Sequence, residues 1–396
     1  MKILTFSTLF PNSMQQRHGI FVEQRLRQLL HAHRDVQARV VAPVPWFPFA
    51  NRRFGQYGVY AQVPDAERRF GIPVVHPRFA ALPLFGWRIH PYTLFAATHT
   101  TLSRIQAEGF DFDVIDSHFA YPDGVAAVRL GQLFDKPVFM TARGNDVSLM
   151  LDLPAARRQI LAAARDCAGV ITVCQALKDA LVGAGVDETR VHVLRNGVDL
   201  ERFRPLPREA ARAELAMHGR TLLSVGHLIE RKGNHLTVLA LRELPDTTLI
   251  LVGDGPEERR LRELARDCGV LERVRFVGAV AQEELAKYYN AADALVLASS
   301  REGWANVLLE AMACGTPVVA TPIWGTPEVV TSPEAGVLTA DLSPAAIVAA
   351  CQRLFAALPA RTATRAYAAT FSWDSTSNGQ YHLFTHARRA HLSPPA

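Results

Sequence analysis

Two acidic residues lie eight positions apart within residues 299–316, SSREGWANVLLEAMACGT. Glu302 follows an apolar run that predicts a strand, and Glu310 lies in a segment whose pattern predicts a helix beginning near Ala305. The free N–H groups and positive dipole end of such a helix can hold a phosphate. Glu302 would stand beside that phosphate, and Glu310 could accept hydrogen bonds from ribose-like hydroxyls. The alternative is a helix N-terminal charge with an unrelated acid.

A second cluster follows another predicted strand, in residues 224–233, SVGHLIERKG. The strand ends at Gly226, and Lys232 lies in the loop before the next helix, at the edge of an α/β sheet where ligands bind. A lysine there can neutralise a leaving diphosphate through charge-assisted hydrogen bonds. His227 and Arg231 are further donors nearby, although a solvated basic loop is the simpler explanation for Arg231.

A third group of residues is dispersed in the first half of the chain. Gly19 lies in the loop after the first predicted strand, and His118 lies in SHFAYPDG after another. Residues 141–146, TARGND, place Arg143 and Asp146 after a further strand. A lone histidine is more often structural than catalytic. Three loops at one sheet edge favour a shared site.

Alternating strand and helix patterns predict that these loops belong to two parallel sheets, each covered on both faces. In the first half, strands are predicted at 2–8, 36–42, 114–115, 137–142 and 169–173, and helices at 19–30, 94–108, 124–133 and 155–167. Residues 43–95 are rich in proline and predict an irregular excursion with short strands.

The pattern begins again after residue 219. Strands are predicted at 220–225, 248–252, 274–277, 294–298 and 317–320, and helices at 235–244, 257–268, 282–291 and 307–314. This order predicts a second doubly wound unit. Residues 199–219 contain two prolines and predict a linker, and a last helix is predicted at 374–390.

Composition excludes several classes of protein. The 396 residues are 49% hydrophobic and 20% charged, unlike a disordered chain, a collagen or a coiled coil. No apolar run approaches the length of a transmembrane helix, and residues 1–10 favour a strand over a signal peptide. The five cysteines lack C-x-x-C spacing, which argues against a disulfide framework or thiolate zinc site and favours a reducing cytoplasm. Neither G-x-G-x-x-G nor a Walker A motif occurs, which disfavours dinucleotide redox enzymes and P-loop ATPases.

The net charge of +5 arises in the first half of the chain. Residues 46–104 interleave arginines with aromatic residues, a combination that suits an anionic membrane surface or single-stranded nucleic acid. The net charge is modest for nucleic acid, and we predict no such partner. The alternative is that the aromatic residues form core and the arginines a solvated face. The residues concerned are Arg52, Arg53, Arg68, Arg69, Arg78, Arg88 and Arg104 with Trp46, Phe47, Phe49, Phe54, Tyr57, Tyr60, Phe70, Phe79, Phe85, Trp87, Tyr92 and Phe95.

These motifs, in this order, resemble those of the family 4 retaining glycosyltransferases. The resemblance is carried by SVGHLIERKG, LVGDGPEERRL, VRFVGAV, YYNAADALVLASSREGWANVLLEAMACGTPVVAT and GTPEVV in the second half, and by SHFAYPDGVA and VLRNGVDLERFRP in the first. It covers roughly residues 1–30 and 110–375. It implies a GT-B fold, in which two Rossmann-like domains face a cleft and a C-terminal helix crosses back to the first domain.

The resemblance also implies roles for particular residues. Glu302 matches the acidic residue near the donor sugar, and Glu310 matches the acidic residue that holds the ribose hydroxyls. Lys232 matches the basic residue that binds the diphosphate. His118 matches a histidine that lines the reaction centre, and Gly19 matches a flexible glycine loop at the donor. The segment whose backbone amides meet the sugar and diphosphate comprises Gly303, Trp304, Ala305, Asn306 and Val307.

The chain departs from the family pattern at three places. His227 stands where the family usually has arginine, which leaves the diphosphate charge to Lys232 and Arg231. Gly19 is single rather than paired. Arg143 stands where many members carry histidine. With Asp146, Arg143 is expected on the acceptor side of the site.

We therefore predict an enzyme that transfers a sugar from a nucleotide diphosphate sugar to an acceptor hydroxyl, with the anomeric configuration retained. The acceptor is expected to be a lipid-linked glycan or a polysaccharide intermediate. No acidic cluster for Mg²⁺ is evident near the donor residues, so we predict that no metal and no cofactor is needed. Rival readings are a nucleotide-sugar epimerase, a glycan phosphorylase and a non-catalytic sugar-nucleotide binder.

The expected organisation has three parts. Residues 1–200 form an acceptor-side Rossmann-like domain, residues 201–372 a nucleotide-sugar-binding Rossmann-like domain, and residues 373–396 a helix that packs back on the first domain. Residues 46–104 are expected to dock on an anionic membrane, which would place a cytoplasmic enzyme at the inner face of that membrane.

Overall fold

The computed structural model describes residues 1–81 and 86–392, and the chain divides into two compact units. Unit 1 comprises Met1–Arg195 together with Asp374–Ala396, and unit 2 comprises Asn196–Trp373. The division at Arg195 falls five residues before the boundary expected from the sequence. Phe85 of the basic and aromatic segment and residues 393–396 of the C-terminal segment lie outside the described residues.

Unit 1 contains ten strands in its described residues. They are β1 (Lys2–Phe6), β2 (Gln37–Val41), β3 (Val44–Pro45), β4 (Ala66–Arg69), β5 (Ile72–Val75), β6 (Arg78–Phe79), β7 (Val114–His118), β8 (Val138–Ala142), β9 (Gly169–Thr172) and β10 (Val191–Val193). Eight of them form one sheet in the order β10-β9-β8-β7-β1-β2-β5-β4, and β3 pairs with β6. The eight-stranded sheet is parallel except at β4, which runs antiparallel to β5.

The helices of unit 1 cover this sheet. They are α1 (Ile20–Ala32), α2 (Gln56–Tyr60), α3 (His90–Ala107), α4 (Val125–Phe134), α5 (Asn145–Ser148), α6 (Pro154–Asp166) and α7 (Gln175–Gly183). The periodic apolar residues of α1 explain its orientation, because Val22, Leu26 and Leu29 lie on one helical face and are buried. The proline-rich excursion contains the short strands β3 to β6, as expected. It also contains the short helix α2 and the start of α3, which were not predicted there.

Unit 2 is a six-stranded parallel sheet in the order β13-β12-β11-β14-β15-β16. Its strands are β11 (Arg220–Val225), β12 (Thr247–Val252), β13 (Val274–Gly278), β14 (Ala294–Leu297), β15 (Val318–Ala320) and β16 (Gly336–Leu338). Its helices are α8 (Arg208–Glu214), α9 (Asn234–Ala240), α10 (Glu258–Asp267), α11 (Gln282–Ala291), α12 (Asn306–Ala313), α13 (Thr326–Val329), α14 (Pro344–Ala356) and α15 (Arg361–Ala369). This is the strand order of the doubly wound dinucleotide-binding fold.

The last helix, α16 (Trp373–Leu392), returns to unit 1 from Asp374 onward. Its Phe384 is fully buried, and its ring lies 4.9 Å from that of Phe139 on β8. Phe384 joins the core formed by Ile3, Val114 and Ile171. The hydrophobic effect therefore fixes the C-terminal helix to the sheet of unit 1.

The linker expected at residues 199–219 lies inside unit 2, and part of it is helical. The helix α8 lies in it, and Asp293 forms ion pairs with both Arg208 and Arg212 of that helix. Pro207 is the residue before the first turn of α8, so it ends the preceding segment without breaking the helix.

Within residues 1–81 and 86–392, no helix combines the length and the apolar character needed to cross a membrane.

Candidate active site

In unit 2, two loops follow the neighbouring strands β11 and β14. The chain turns to one side of the sheet after β11 and to the other after β14, because the strand order reverses between them. In open α/β sheets, this reversal leaves a crevice at the carboxyl ends of the strands where ligands bind. The loop after β11 carries Lys232, and the loop after β14 carries Glu302.

Lys232 and Glu302 form a close ion pair in this crevice. The distance from Lys232 Nζ to Glu302 Oε1 is 2.5 Å, and the side chains are only 17% and 10% exposed. Ser299 Oγ donates to the same carboxylate oxygen at 2.8 Å. Since an ammonium has three N–H donors, Lys232 can keep this bond and still donate to a phosphate oxygen. The structure thus brings Lys232 and Glu302 together, and their roles toward a diphosphate and a sugar stay predictions.

Arg231 joins the two loops rather than pointing to a ligand alone. Its Nη1 donates to the backbone oxygen of Arg301 at 3.2 Å and lies 3.9 Å from Glu302 Oε1. Its own backbone oxygen accepts from Ser300 N at 2.8 Å. Two positive charges therefore face Glu302, and the position of Lys232 depends on the loop after β14.

The helix α12 begins next to this cluster. Its N-terminal cap, Ala305, has no polar side-chain atom and makes no side-chain hydrogen bond to the N–H groups of the first turn. Trp304 Nε1 donates to the backbone oxygen of Asn196 at 3.0 Å, and Asn306 Oδ1 accepts from Asn196 Nδ2 at 3.2 Å. These bonds fix the segment Gly303–Val307 and leave the helix end available for an anion.

Glu310 lies within α12 and has partners different from those of Lys232. Its Oε2 accepts a hydrogen bond from the Tyr289 hydroxyl at 2.7 Å. Burial raises the pKa of Glu310 to about 7, although the bond from Tyr289 and the charge of Arg202 oppose this. The carboxyl group is therefore poised to be either neutral or ionised near neutral pH, and ionisation makes it a pure acceptor.

His227 does not join Lys232. It is half exposed, and its Nδ1 lies 3.4 Å from Asp254 Oδ1 in the loop after β12. Leu228 N donates to the backbone oxygen of Asp254 at 2.7 Å, which fixes this arrangement. His227 thus contacts the loop after β12, whereas Arg231 contacts the loop after β14.

In unit 1, the corresponding reversal of strand order lies between β1 and β7. The loop after β1 and the loop after β7 are joined at Asp123, which accepts from Thr8 N at 2.6 Å and from Thr8 Oγ1 at 2.9 Å. Ser7 Oγ donates to the backbone oxygen of His118 at 3.1 Å. Burial raises the pKa of Asp123 to about 7 despite these bonds.

His118 is the last residue of β7 and is completely buried. Its Nδ1 lies 2.8 Å from Arg143 Nη2, and its Nε2 lies 3.1 Å from Asp116 Oδ2. A guanidinium can only donate, so Nδ1 is the acceptor and Nε2 carries the proton. Burial lowers the pKa of His118 to about 4, with Asp116 opposing and Arg143 reinforcing the shift. The imidazole is therefore neutral at neutral pH.

Arg143 and Asp146 shape the loop after β8. Asp146 is buried and accepts from the backbone N–H groups of Ala120, Gly144 and Arg143 at 2.6, 2.7 and 3.0 Å. Burial raises the pKa of Asp146, although these backbone bonds oppose the shift. Asp146 thus ties the loop after β8 to the loop after β7, and its expected role toward an acceptor stays a prediction.

Gly19 lies directly before α1, where a side chain could not fit. Its φ of +65° is in the left-handed region, and a Cβ atom would lie 2.2 Å from the backbone oxygen of Leu9. The loop from β1 therefore folds tightly on itself. A cavity of about 230 Å³ adjoins this loop, lined in part by Thr8, Phe10, His18, Tyr60, Phe79 and His90.

The structure brings the predicted site residues together in two groups, each within one unit. Lys232, Arg231 and Glu302 meet in unit 2, and His118, Arg143 and Asp146 meet in unit 1. In the part of the chain that the structure describes, no group of three or more His, Cys, Asp and Glu is placed to hold a metal ion.

Several residues of these networks were not predicted from the sequence. Asp116 had a signal, because residues two apart on a strand lie on the same face as His118. Tyr289 precedes Glu310 by 21 positions, and Gln380, which donates to Asp116, comes from the last helix. No local pattern links either residue to its partner.

Two family models match this chain. The model described as glycosyl transferases group 1 matches residues 207–371, and the model described as glycosyltransferase family 4 matches residues 56–202.

Curated relatives match over most of their lengths. The chain is 28% identical to a putative teichuronic acid biosynthesis glycosyltransferase, TuaC, of Bacillus subtilis over 82% of each protein. It is 33% identical to a GDP-mannose-dependent alpha-(1-6)-phosphatidylinositol monomannoside mannosyltransferase of Mycobacterium tuberculosis, over 64% of this chain and 70% of the relative. A D-inositol 3-phosphate glycosyltransferase of Frankia alni is 32% identical over 72% of this chain and 76% of the relative.

Solved structures share the fold. A sucrose-phosphate synthase from Thermosynechococcus elongatus superimposes with a TM-score of 0.76 at 22% identity, over 98% of this chain and 100% of the other. The HepE protein of Anabaena, solved with UDP and glucose, gives a TM-score of 0.74 at 22% identity, over 97% and 99%.

Proposed function

The chain belongs to the family 4 glycosyltransferases and has the GT-B fold, and from this premise we propose that it transfers a sugar from a nucleotide diphosphate sugar to an acceptor hydroxyl with retention of configuration. The observation that carries the proposal is the Lys232–Glu302 pair beside the uncapped start of α12. Breaking the anomeric bond builds negative charge on the diphosphate and positive charge on the sugar. Lys232 and the N-terminal end of α12 would stabilise the negative charge on the diphosphate, and Glu302 would stabilise the positive charge on the sugar.

Glu310 supports a nucleotide as the leaving group. Its buried carboxyl group lies in the same helix as the proposed phosphate site and is oriented by Tyr289. A carboxylate is a good acceptor for the two hydroxyls of a ribose. His118, Arg143 and the Gly19 loop are proposed to act from unit 1, with the acceptor entering at the cavity beside that loop.

We propose that catalysis needs no metal ion and no cofactor. The physical reason is that the Lys232 ammonium and the α12 N–H groups supply the positive potential that a leaving diphosphate requires. Transfer activity that persists in EDTA is the expected result. Activity that is lost in EDTA and restored by Mg²⁺ would contradict this part of the proposal.

The acceptor is proposed to be a lipid-linked glycan or a polysaccharide intermediate. Two relatives support this class, because their names state teichuronic acid biosynthesis and a phosphatidylinositol monomannoside. The exposed rings of Trp46 and Phe49 support docking on a membrane, where such an acceptor would be found. With this docking, the enzyme would lie at the cytoplasmic face of the membrane.

Three other functions predict different behaviour. An epimerase would convert the sugar of a nucleotide sugar with no acceptor present. A glycan phosphorylase would need free phosphate and no nucleotide. A non-catalytic binder would hold nucleotide sugars without turnover.

The proposal is tested by thermal unfolding with UDP, GDP, ADP, CDP and TDP in EDTA. A nucleotide at 100 times its dissociation constant stabilises by about 2.7 kcal/mol, a shift of a few degrees. We expect one nucleotide to stabilise the wild type and to have no effect on Lys232→Ala. Lys287→Ala is the control, because Lys287 pairs with Glu214 and Glu284 in the same unit and should keep the response.

The opposite result is equally informative. If no nucleotide stabilises the wild type, or if Lys232→Ala responds like Lys287→Ala, the donor site is wrong and the phosphorylase becomes the leading function. Once the base is known, NMR of the anomeric signal of the product decides between retention and inversion.

A further inference from the structure

A buried chain of polar side chains leads from the C-terminal helix to His118. Gln380 on α16 donates through Nε2 to Asp116 Oδ2 at 2.8 Å, and Asp116 Oδ2 also accepts a hydrogen bond from His118 Nε2 at 3.1 Å. All three side chains are at most 1% exposed. One carboxylate oxygen therefore connects a residue near the end of the chain to the histidine expected at the reaction centre.

Arg25 fixes the orientation of Gln380. Its Nε donates to Gln380 Oε1 at 3.1 Å, and its Nη1 donates to the backbone oxygen of Leu194 at 3.0 Å. Because a guanidinium has donors only, the amide oxygen of Gln380 must face Arg25 and the amide nitrogen must face Asp116. The direction of each hydrogen bond in the chain is thus determined by the two arginines at its ends, Arg25 and Arg143.

The electrostatics of the chain are consistent with an ionised Asp116. Burial alone opposes its ionisation, yet His118, Arg25 and Arg143 together lower its pKa. Burial lowers the pKa of Arg25 to about 10, which still leaves the guanidinium charged at neutral pH. An anionic Asp116 that accepts two N–H bonds holds the imidazole in one tautomer and one ring orientation.

We propose that Gln380, braced by Arg25, is a positioning residue that sets the tautomer and the ring orientation of His118 through Asp116. The inference deepens the proposed function and rests on it for the claim that His118 lies at the reaction centre. It assigns to the C-terminal helix a role in the chemistry besides its packing. Gln380 touches no substrate in this proposal and acts only through Asp116.

The first test is NMR of the free protein labelled with ¹⁵N-histidine, with the His118 signals assigned by their loss in His118→Asn. We expect one neutral tautomer with the proton on Nε2. Gln380→Met keeps the length of the side chain and removes both hydrogen bonds, so the His118 ring signals should shift and its ring proton should exchange faster. Gln380→Glu cannot donate a hydrogen bond to Asp116 when it is ionised, so it should change the His118 signals in the same way. This variant replaces Gln380→Met in the test if Gln380→Met fails to fold.

Arg388→Met is the matched control. Arg388 lies on the same helix, and its Nε donates to Asp113 Oδ1 at 2.9 Å, away from His118. This variant should leave the His118 signals unchanged. If it alters them as Gln380→Met does, or if neither Gln380 variant alters them, α16 acts by packing alone and the proposal is overturned.

Kinetics separate this inference from the proposed function. With the nucleotide sugar whose base the unfolding experiment identifies, Gln380→Met should lower kcat by about tenfold to a hundredfold. The affinity for the nucleotide itself should not change, because Lys232 and Glu310 lie in unit 2. A fall in nucleotide affinity with kcat preserved would contradict positioning, whereas absence of any nucleotide binding by the wild type would contradict only the proposed function.

Discussion

Glu310, like Asp123, is a buried carboxyl group whose charge depends on conditions near neutral pH. Burial raises its pKa to about 7, and the hydroxyl of Tyr289 limits that rise by donating to the carboxylate. Only the ionised form offers both oxygens as acceptors to ribose hydroxyls. Nucleotide affinity should therefore be present above pH 7 and should weaken as the pH falls through 7.

We predict that Tyr289→Phe raises the pKa of Glu310 further, because the donor to the carboxylate is lost while burial remains. The pH at which nucleotide affinity is half lost should move upward. Calorimetric titration between pH 5.5 and 8.5 measures this with the nucleoside, which avoids titration of the phosphates. Glu310→Gln is the control and should bind weakly at every pH; a pH-dependent affinity in that variant would show that another group is responsible.

Site residues could be predicted from the sequence when they lie near one another along the chain or in loops after adjacent strands. Lys232 and Glu302 could be predicted because parallel strands end at the same sheet edge. Asp116 could have been predicted from its strand position beside His118. Gln380 could not, because its contact with Asp116 depends on where α16 packs, and that depends on tertiary burial of residues such as Phe384.

Among the elements, the turn before α9 connects the two halves of the proposed donor site. Gly233 has φ +68°, and a Cβ atom there would lie 1.9 Å from the backbone oxygen of Ala298, directly after β14. The loop that carries Lys232 thus contacts the loop that carries Glu302 at Gly233. Any side chain at this position would push the two loops apart. The distance between the two charges depends on this contact.

We predict that Gly233→Ala separates these loops, lowers nucleotide affinity and destabilises the protein. Gly269→Ala provides a matched control, because Gly269 also has φ +68° but has open space around its Cβ position. The control should lose only about 1–2 kcal/mol of stability, because the alanine side chain is strained in the left-handed conformation. Chemical unfolding and nucleotide titration of both variants measure the difference; equal losses would mean that the contact with Ala298 is not important.

The parallel strands and most of the helices of unit 2 could be predicted from their apolar patterns. The helix α8 could not, because Pro205 and Pro207 indicated a loop and because its ion-pair partner, Asp293, is distant in sequence. Likewise, β10 is only three residues long and pairs with β9 at the edge of the sheet. Such a strand has too few residues for an alternating pattern to be recognised.

At the scale of the whole molecule, three large aromatic side chains between residues 46 and 57 are exposed. Trp46, Phe49 and Tyr57 are 60%, 56% and 42% exposed. The ring of Phe47 joins them, at 6.0 Å from that of Phe49 and 5.4 Å from that of Tyr57. The alternative that all these aromatic residues form core is therefore wrong for this part of the segment.

We predict that the double variant Trp46→Ser and Phe49→Ser binds anionic vesicles at least roughly tenfold more weakly than the wild type, since burying each ring is favourable by about 1.5–3 kcal/mol. Flotation with phosphatidylglycerol vesicles at low salt measures the binding. Leu358→Ser, which removes a half-exposed apolar residue of unit 2, should bind like the wild type. Absence of wild-type binding would remove the membrane from the proposed function.

Unit 1 is built from two separate stretches of chain, and unit 2 is one continuous stretch between them. A gene cut after the codon for Arg195 would therefore encode a first unit without Phe384 in its core and without Gln380 beside Asp116. Residues 196–373, by contrast, form a complete compact unit from one continuous stretch of chain and can be treated as an internal cassette. Exchange of donor specificity between relatives should accordingly be attempted by transplanting that internal cassette, with α16 left in its own protein, rather than by joining an N-terminal half to a foreign C-terminal half.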